Sequence, residues 1–410
     1  MSDEHPRLRP VEAFPVDHEG ERFLALRDPA GYAPSMVMLP GAVVEIVALF
    51  DGSHTIVDIQ AELMRRYGEI VPRAQIESLV DGLDEHGFME SPRFADRRAA
   101  IDGEFLDSPI RPASHAGGTY AAEPAELRLT MDGFFTHAEG PGSIEWPTTP
   151  AGKITGAIAP HIDFHRGGPA YAWAYRHLAE RSDGDLFVIF GTCHAGMSDP
   201  FALTRKDYAT PFGAAAVDRE FIDALAKRAG GDCFASELAH RGEHSIEFQA
   251  VFLKYLYETR GDFTIVPILA SFAHEALARG KGPEDDPRVP RFLEALVETI
   301  AASGRRVVVV AGADLAHMGP RFGDPAPISA DELTRIERED REMLGAVESG
   351  DARAFFDAIA RDGDRRRICG FSPIYATLRV LGRPRGDLLR YGQWPDPEGV
   401  VTFASMTFEA

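Results

Sequence analysis

From residue 115 onward the sequence alternates short apolar runs with helix-length amphipathic segments, and that alternation confines this part of the chain to an α/β sheet flanked by helices. Core strands are expected at 154–160, 186–191, 263–269 and 306–311, with a last strand at 400–408 whose alternation is weak. Helices are expected over 169–181, 219–228, 244–259, 291–303, 330–348 and 372–380. Three of the strand runs end in chemistry: KITGAIAP runs into His161, LFVIF runs into GTCHAG with His194, and VVVV runs into AGADLAHMG with Asp314 and His317. In open α/β sheets the loops leaving the carboxyl ends of strands form the ligand crevice, so these ends deliver imidazoles and a carboxylate to one place. A fourth polar cluster, Glu243-His244-Ser245, opens a helix in GEHSIEFQ.

Each of these residues also has a plainer reading. A histidine after a strand is commonly a hydrogen-bonded structural residue, and Asp314 could serve only to stabilise a loop over 312–319. An acid at a helix start caps the helix and complements its dipole without further purpose. The joint occurrence favours a site. Among the three cysteines, Cys193 adjoins His194 but points the opposite way on an extended segment. Cys233 reads as small filler. Cys369 lies between three arginines and a helix onset in RRRICGFSPI, surroundings that lower a thiol pKa and make it the best thiol ligand of the three. Three cysteines are too few for a disulfide scaffold and fit a reducing compartment.

The segment before residue 90 is organised differently. Residues 21–40 read as a small hairpin, followed by helices at 41–50, at 56–67 with Thr55 as cap, and at 73–86 closed by Gly87. A hairpin and three short helices make a winged-helix-like α+β pattern. Its third helix carries Glu77, Asp81, Asp84 and Glu85, and the chain holds 43 basic against 64 acidic residues, a net charge of -21. Both oppose phosphate contact, so nucleic-acid binding is not expected. Residues 92–112 are charged and broken by prolines, which reads as a linker. The expected division is a front domain over 1–95, a linker over 96–114 and a main domain over 115–410. The first thirty residues lack the apolar core of a signal peptide, and no apolar run approaches the roughly 18 residues of a membrane span. A cytoplasmic protein without membrane contact is expected. Neither a CxxC, an HExxH, a P-loop, a strand-following GxGxxG nor a GxSxG is present.

The ordered set HAGGTY, IAPHIDF…RGGPAYAWAY, FGTCHAG, YATPFG, EHSIEFQ, VPIL, DLAHMGPRF and ICGFSPI resembles the Memo family, specifically its AmmeMemoRadiSam system protein B branch. The stretch LPGAVVEIVALFDGSHTIVDIQAELMRRYG…LVDGLDEHGFME resembles PqqD-like domains, which bind peptides beside radical-SAM enzymes. The Memo resemblance implies a fold similar to class III extradiol dioxygenases and a metal held by His161, His194 and Cys369. Asp314, His317 and His244 would line the same pocket as acid/base groups. Two imidazoles and one anionic ligand leave open positions, as in iron oxygenases, while the thiolate suits Cu(I) or Zn(II). Fe(II) leads through the fold analogy, with Cu and Zn behind it. The implied function is metal-dependent redox or oxygenase chemistry on a small molecule or peptide, linked to a radical-SAM partner. The alternative is a non-catalytic metal- or peptide-binding partner protein. Two departures stand out: Thr119 replaces the family's early tryptophan, and PHIDF replaces PHAGY, bringing Asp163 and His165 close to His161.

Overall fold

In a computed structural model of the chain, described for residues 5–18, 20–68, 70–148, 152–258 and 260–409, two compact units follow one another, Met1–Asp107 and Ser108–Ala410.

In the first unit the strands Glu12–His18, Glu21–Arg27 and Val37–Pro40 form an antiparallel sheet in chain order. The helices Gly41–Val47, Ile56–Tyr67 and Arg73–Glu85 follow, the last two as their periodicity predicts and the first ending three residues short of the expected 41–50. Thr55 caps the second reciprocally with Asp58, each side chain accepting the other's backbone N–H, at 3.1 and 2.9 Å. Leu26, Leu39, Ile59, Leu63, Ile76, Leu83 and Phe88 form the core. The first strand escaped the sequence reading because EAFPVDH is exposed along most of its length and carries Pro15, a residue tolerated only on a sheet edge. The segment read as a linker is also different: Pro92–Asp107 is a helix. Pro92 is its first residue rather than a break, the Ser91 hydroxyl accepts the Phe94 N–H at 3.0 Å, and Phe94 and Phe105 are buried. The charges that suggested a linker form its solvated face.

The second unit is built on an eight-stranded mixed sheet flanked by helices. Its order is Asp314–Met318, Gly399–Glu409, Ile154–Ala159, Val307–Gly312, Leu186–Thr192, Thr264–Ala270 and Phe201–Leu203, with Arg385–Asp396 also pairing Gly399–Glu409. The four middle strands are parallel, and Val307–Gly312 lies between Ile154–Ala159 and Leu186–Thr192 with Gly312 opposite both Ala159 and Gly191. That register puts three strand ends side by side. Gly399–Glu409 is buried along nearly its whole length, and a strand covered on both faces has no reason to alternate.

Several bounds shift. The helix Phe164–Arg181 starts before Pro169, which sits inside it. The helix Arg288–Ser303 likewise begins earlier than its apolar period suggests. The last residue expected for the helix His244–Tyr257, Thr259, lies outside the described residues. Residues 314–318, read as loop, form a strand antiparallel to Gly399–Glu409. Among the described residues no helix is long and apolar enough to cross a membrane.

One close approach fixes where the helix His244–Tyr257 begins. A Cβ on Gly312 would lie 2.4 Å from the Ser245 carbonyl oxygen and 2.9 Å from Gln249 Nε2, and one on Gly191 would meet Ile246 and Ser245 side chains at 2.5 Å. Only hydrogen at both positions lets the helix start rest directly on the strand ends. Gly312→Ala is therefore expected to lower stability by about 1–3 kcal/mol, because the clash is with backbone that cannot swing away. Urea unfolding of the variant against the parent chain measures it.

Candidate functional site

The side chains at the strand ends converge. His161 follows Ile154–Ala159, His194 follows Leu186–Thr192, and Cys369 precedes the helix Phe371–Leu381. Cys369 Sγ lies 3.2 Å from His161 Nε2 and 3.2 Å from His194 Nε2. The donor atoms of the three residues all fall within 4.8 Å of one another, a spacing that could hold a metal ion. Cys369 is brought there by its backbone: its N–H donates to Leu315 O at 3.0 Å, its carbonyl accepts the Thr192 hydroxyl at 3.0 Å, and Gly370 N–H donates to Asp314 O at 2.7 Å.

Each ring is oriented through its other nitrogen. His161 Nδ1 donates to the Gly312 carbonyl at 2.9 Å, and His194 Nδ1 faces the Glu243 carboxylate at 2.9 and 3.1 Å. These contacts leave both Nε2 atoms aimed at the sulfur, the arrangement that orients histidine ligands in metal sites. Glu243 caps the helix His244–Tyr257 through the Ser245 N–H and also accepts the His194 N–H, both at 2.9 Å. The capping reading of Glu243 and the site reading are thus both true of one carboxylate. Sequence reasoning placed Glu243 in the cluster without giving it a partner; the signal was an acid one residue before His244.

The charges are strongly coupled. Burial alone would raise the Cys369 thiol, yet the His161 and His194 rings hold it well below the ordinary range. Burial likewise works against the charged form of His161, but the Cys369 and Asp314 charges push it up to about 9. His194 also lies well above its usual value, burial being outweighed by Cys369 and Glu243. Glu243 stays well below the carboxylate range despite complete burial, because of His194.

The three arginines before Cys369 do not set its thiol pKa, as the sequence suggested. Each is spent on carboxylates: Arg365 on Glu332 and Glu339, Arg366 on Asp340, and Arg367 on Asp324. Their work is to tether the loop that presents the sulfur.

His244 stacks on His194 with centroids 4.5 Å apart and meets His161 edge-on at 5.3 Å. Burial, helped by the two charged rings and opposed by Glu243, keeps it well below the histidine range. Asp314 is 2% exposed, accepts the His161 N–H at 2.9 Å and lies 3.7 Å from His161 Nε2. Burial pushes its carboxyl up. His317 is on the same strand, its Nδ1 3.1 Å from Leu315 O and its ring edge-on to Phe322. Its described ring contacts do not include the three donors. Asp163 is paired with Arg166 at 2.6 Å, and His165 is exposed beside Trp394. Cys193 is buried with its thiol pushed up to about 11 by burial, in keeping with a non-ligand.

A further group was missed. Glu247, one turn along the helix from Glu243, is fully buried and accepts from Arg111, from the Tyr120 hydroxyl, from the His115 N–H at 3.0 Å and from His115 Nδ1 at 2.8 Å. Arg111 also donates to the Glu243 carbonyl at 2.7 Å. This network pins residues 111–120 to the helix that carries Glu243 and His244. The signal in the sequence was the acid at i+4 from Glu243, on the same helical face.

A mixed sheet whose adjacent strand ends gather two imidazoles, a thiol and buried carboxylates defines a class of α/β protein with a polar crevice at its switch point. Residues 111–407 match the family model described as Memo-like protein, and the chain belongs to the Memo family. It is 27% identical to a MEMO1 family protein of Aquifex aeolicus over 97% of this chain and 99% of that one. It is 31% identical to one of Methanopyrus kandleri over 72% of this chain and 96% of the relative, and 30% identical to one of Thermococcus kodakarensis over 73% and 99%.

The buried Glu247 yields a pH signature. Burial raises its pKa, but Arg111, His115 and Tyr120 bring it down to about 2 from an ordinary 4.5. Its contribution is therefore complete above pH 4.5 and is lost as pH falls toward 2. Glu247→Gln is expected to cost about 3 kcal/mol near neutral pH, where it leaves the buried Arg111 without a carboxylate to balance its charge, and the difference from the parent should shrink as pH falls through that window. Denaturant melts at stepped pH read both.

Proposed function

We propose that the chain holds one metal ion at His161, His194 and Cys369 and acts as a non-haem, class III extradiol dioxygenase-like oxidoreductase on a small-molecule or peptide substrate. The observation that carries this reading is the pair of 3.2 Å approaches to one sulfur from two rings whose other nitrogens are already engaged. Fe(II) is the metal of first choice, with Cu and Zn behind it. When bound, such an ion supplies Lewis acidity and redox capacity at its open positions. The chain's own residues do the rest. Gly312 and Glu243 hold the two rings in their ligating orientation. His244, neutral through burial, takes a proton at Nε2, its Nδ1 facing Glu243 at 3.4 Å. Asp314, with its carboxyl pushed up and 3.7 Å from His161 Nε2, and His317 on the same strand serve proton transfer.

In this reading the protein belongs to the AmmeMemoRadiSam system protein B branch, is cytoplasmic and works beside a radical-SAM enzyme. The unit Met1–Asp107 is a PqqD-like, winged-helix-like module that captures a peptide or that partner. Two observations support a separate role for it. The archaeal relatives are matched over 96% and 99% of their length by about three quarters of this chain. The unit also exposes Met36, Val57, Met64, Tyr67 and Ile70, apolar side chains that a peptide or partner could cover. The same observations support the second reading, a non-catalytic metal- and peptide-binding partner protein.

Metal analysis of freshly purified chain tests the centre. Cys369→Ser is expected to lose most of its metal, and Glu243→Gln to weaken affinity about 10- to 100-fold through the freed His194 ring. Metal content equal to the parent's in both variants overturns the site. Oxygen uptake after anaerobic Fe(II) loading, with catecholic or peptide substrates, separates the enzyme from the binding protein. Removal of residues 1–107 is expected to abolish capture of the radical-SAM partner and leave metal content intact; undiminished capture removes that role from the unit.

A further inference from the structure

We propose that a cavity of about 490 Å³ at the far end of the helix Phe371–Leu381, beside the helix Ala352–Ala360, binds a small organic oxyanion, a carboxylate- or phosphate-bearing molecule of metabolite size. The volume falls within the span of small-molecule sites. The helix is 11 residues long, about 16 Å at the usual rise, and Cys369 lies before its other end, so this cavity is separate from the histidine–cysteine cluster and owes nothing to the metal reading.

Three arginines reach the cavity from different segments: Arg353 from the helix Ala352–Ala360, Arg379 from the last turn of Phe371–Leu381, and Arg383 from the turn beyond it. The two carboxylates in the lining are already engaged. Glu284 receives Arg353 at 2.5 Å and the Tyr375 hydroxyl at 3.3 Å. Asp351 caps its helix through the Arg353 and Ala354 N–H groups at 3.0 and 2.9 Å, its other oxygen 3.4 Å from Arg383. Arg379 is the odd one. Among the described residues it has no carboxylate partner, and its hydrogen bond goes to the neutral Tyr375 hydroxyl at 3.0 Å. Tyr375 is 2% exposed, so this hydroxyl is a fixed feature of the site and orients the guanidinium.

A helix C-terminus accounts for Arg379 and Arg383 but not for Arg353, which comes from the helix Ala352–Ala360. The backbone adds a second, independent sign. Arg383 has φ of 66° and directly precedes Pro384, where the steric preference is for extended backbone. It is held there by close packing, since a Cβ on Gly350 would fall 2.3 Å from the Pro384 oxygen. A left-handed residue other than glycine, kept in place by its surroundings, is the kind of strain that collects at binding sites. In a chain with net charge -21, three guanidiniums set against two carboxylates in one concavity, with Arg379 facing no carboxylate among the described residues, form a local well for anions, and their planar forks match carboxylate and phosphate oxygens.

Isothermal titration of the full chain at constant ionic strength, with inorganic phosphate in one arm and citrate in the other, tests the assignment. Saturable binding of at least one probe is expected, the stronger arm naming the anion class. Arg379→Gln should weaken it at least tenfold, and Arg361→Gln, a surface arginine paired with Glu342 outside the cavity, should not. Should Arg379→Gln melt early, Arg383→Gln on the exposed rim carries the same expectation. Absence of saturable binding in both arms, or equal affinity in the parent and both cavity variants, overturns the proposal.

Discussion

Two hydrogen bonds to imidazole Nδ1 atoms decide what the strand ends can do, because a ring that is free to turn has no fixed donor to offer. The Gly312 carbonyl can only accept, so His161 Nδ1 carries hydrogen and Nε2 is the atom presented to the sulfur. Glu243 does the same for His194 from the start of a helix. That helix can lie against the strand ends only because Gly191 and Gly312 have no side chains. Glu247 and Arg111 then lock the helix and the segment before Tyr120 to each other. The geometry at the sulfur thus depends on close backbone packing several residues away.

Much of this was legible in the sequence, and the boundary of legibility has a physical cause. His161, His194 and Asp314 each end a continuous apolar run, and a buried parallel strand announces itself by such a run; the rule that crevices form at carboxyl ends does the rest. Glu243, Glu247 and Arg111 follow no such pattern. They matter through contacts distant in sequence, 49 residues from His194 to Glu243 and 136 from Arg111 to Glu247, and while the spacing of the two acids marks a helical face, one sequence does not name their partners. The arginines before Cys369 misled for the same reason: their charge was visible, but not the carboxylates that neutralise it. The helix Pro92–Asp107 was hidden by composition, its two buried phenylalanines being outnumbered by charges that face water.

The comparisons divide the chain as the contacts do. The family model covers 111–407, and the second compact unit begins at Ser108. The Aquifex relative spans both units, so the pairing of front unit and Memo unit recurs in at least one other protein. The archaeal relatives are accounted for by about three quarters of this chain. Among the described residues, the contacts that orient the histidine–cysteine cluster, from Arg111 to Gly399–Glu409, lie in the second unit.

On the proposed reading, the choice among metals turns on how the cluster would balance its charge. As they stand, the Cys369 thiolate and the Glu243 carboxylate face two raised imidazoles, two negative groups against two protonated rings. Ligation by Nε2 requires those two protons to leave. One dication replaces two protons without altering the charge of the buried cluster, whatever the state of Asp314. A monovalent ion such as Cu(I) leaves it one unit more negative, in surroundings where an uncompensated charge costs several kcal/mol. The softness of the thiolate pulls toward Cu(I), but the same thiolate also serves Fe(II) and Zn(II), so softness distinguishes less than charge does. On the proposed reading, the residues that prepare the sulfur also bias the cluster toward a divalent ion.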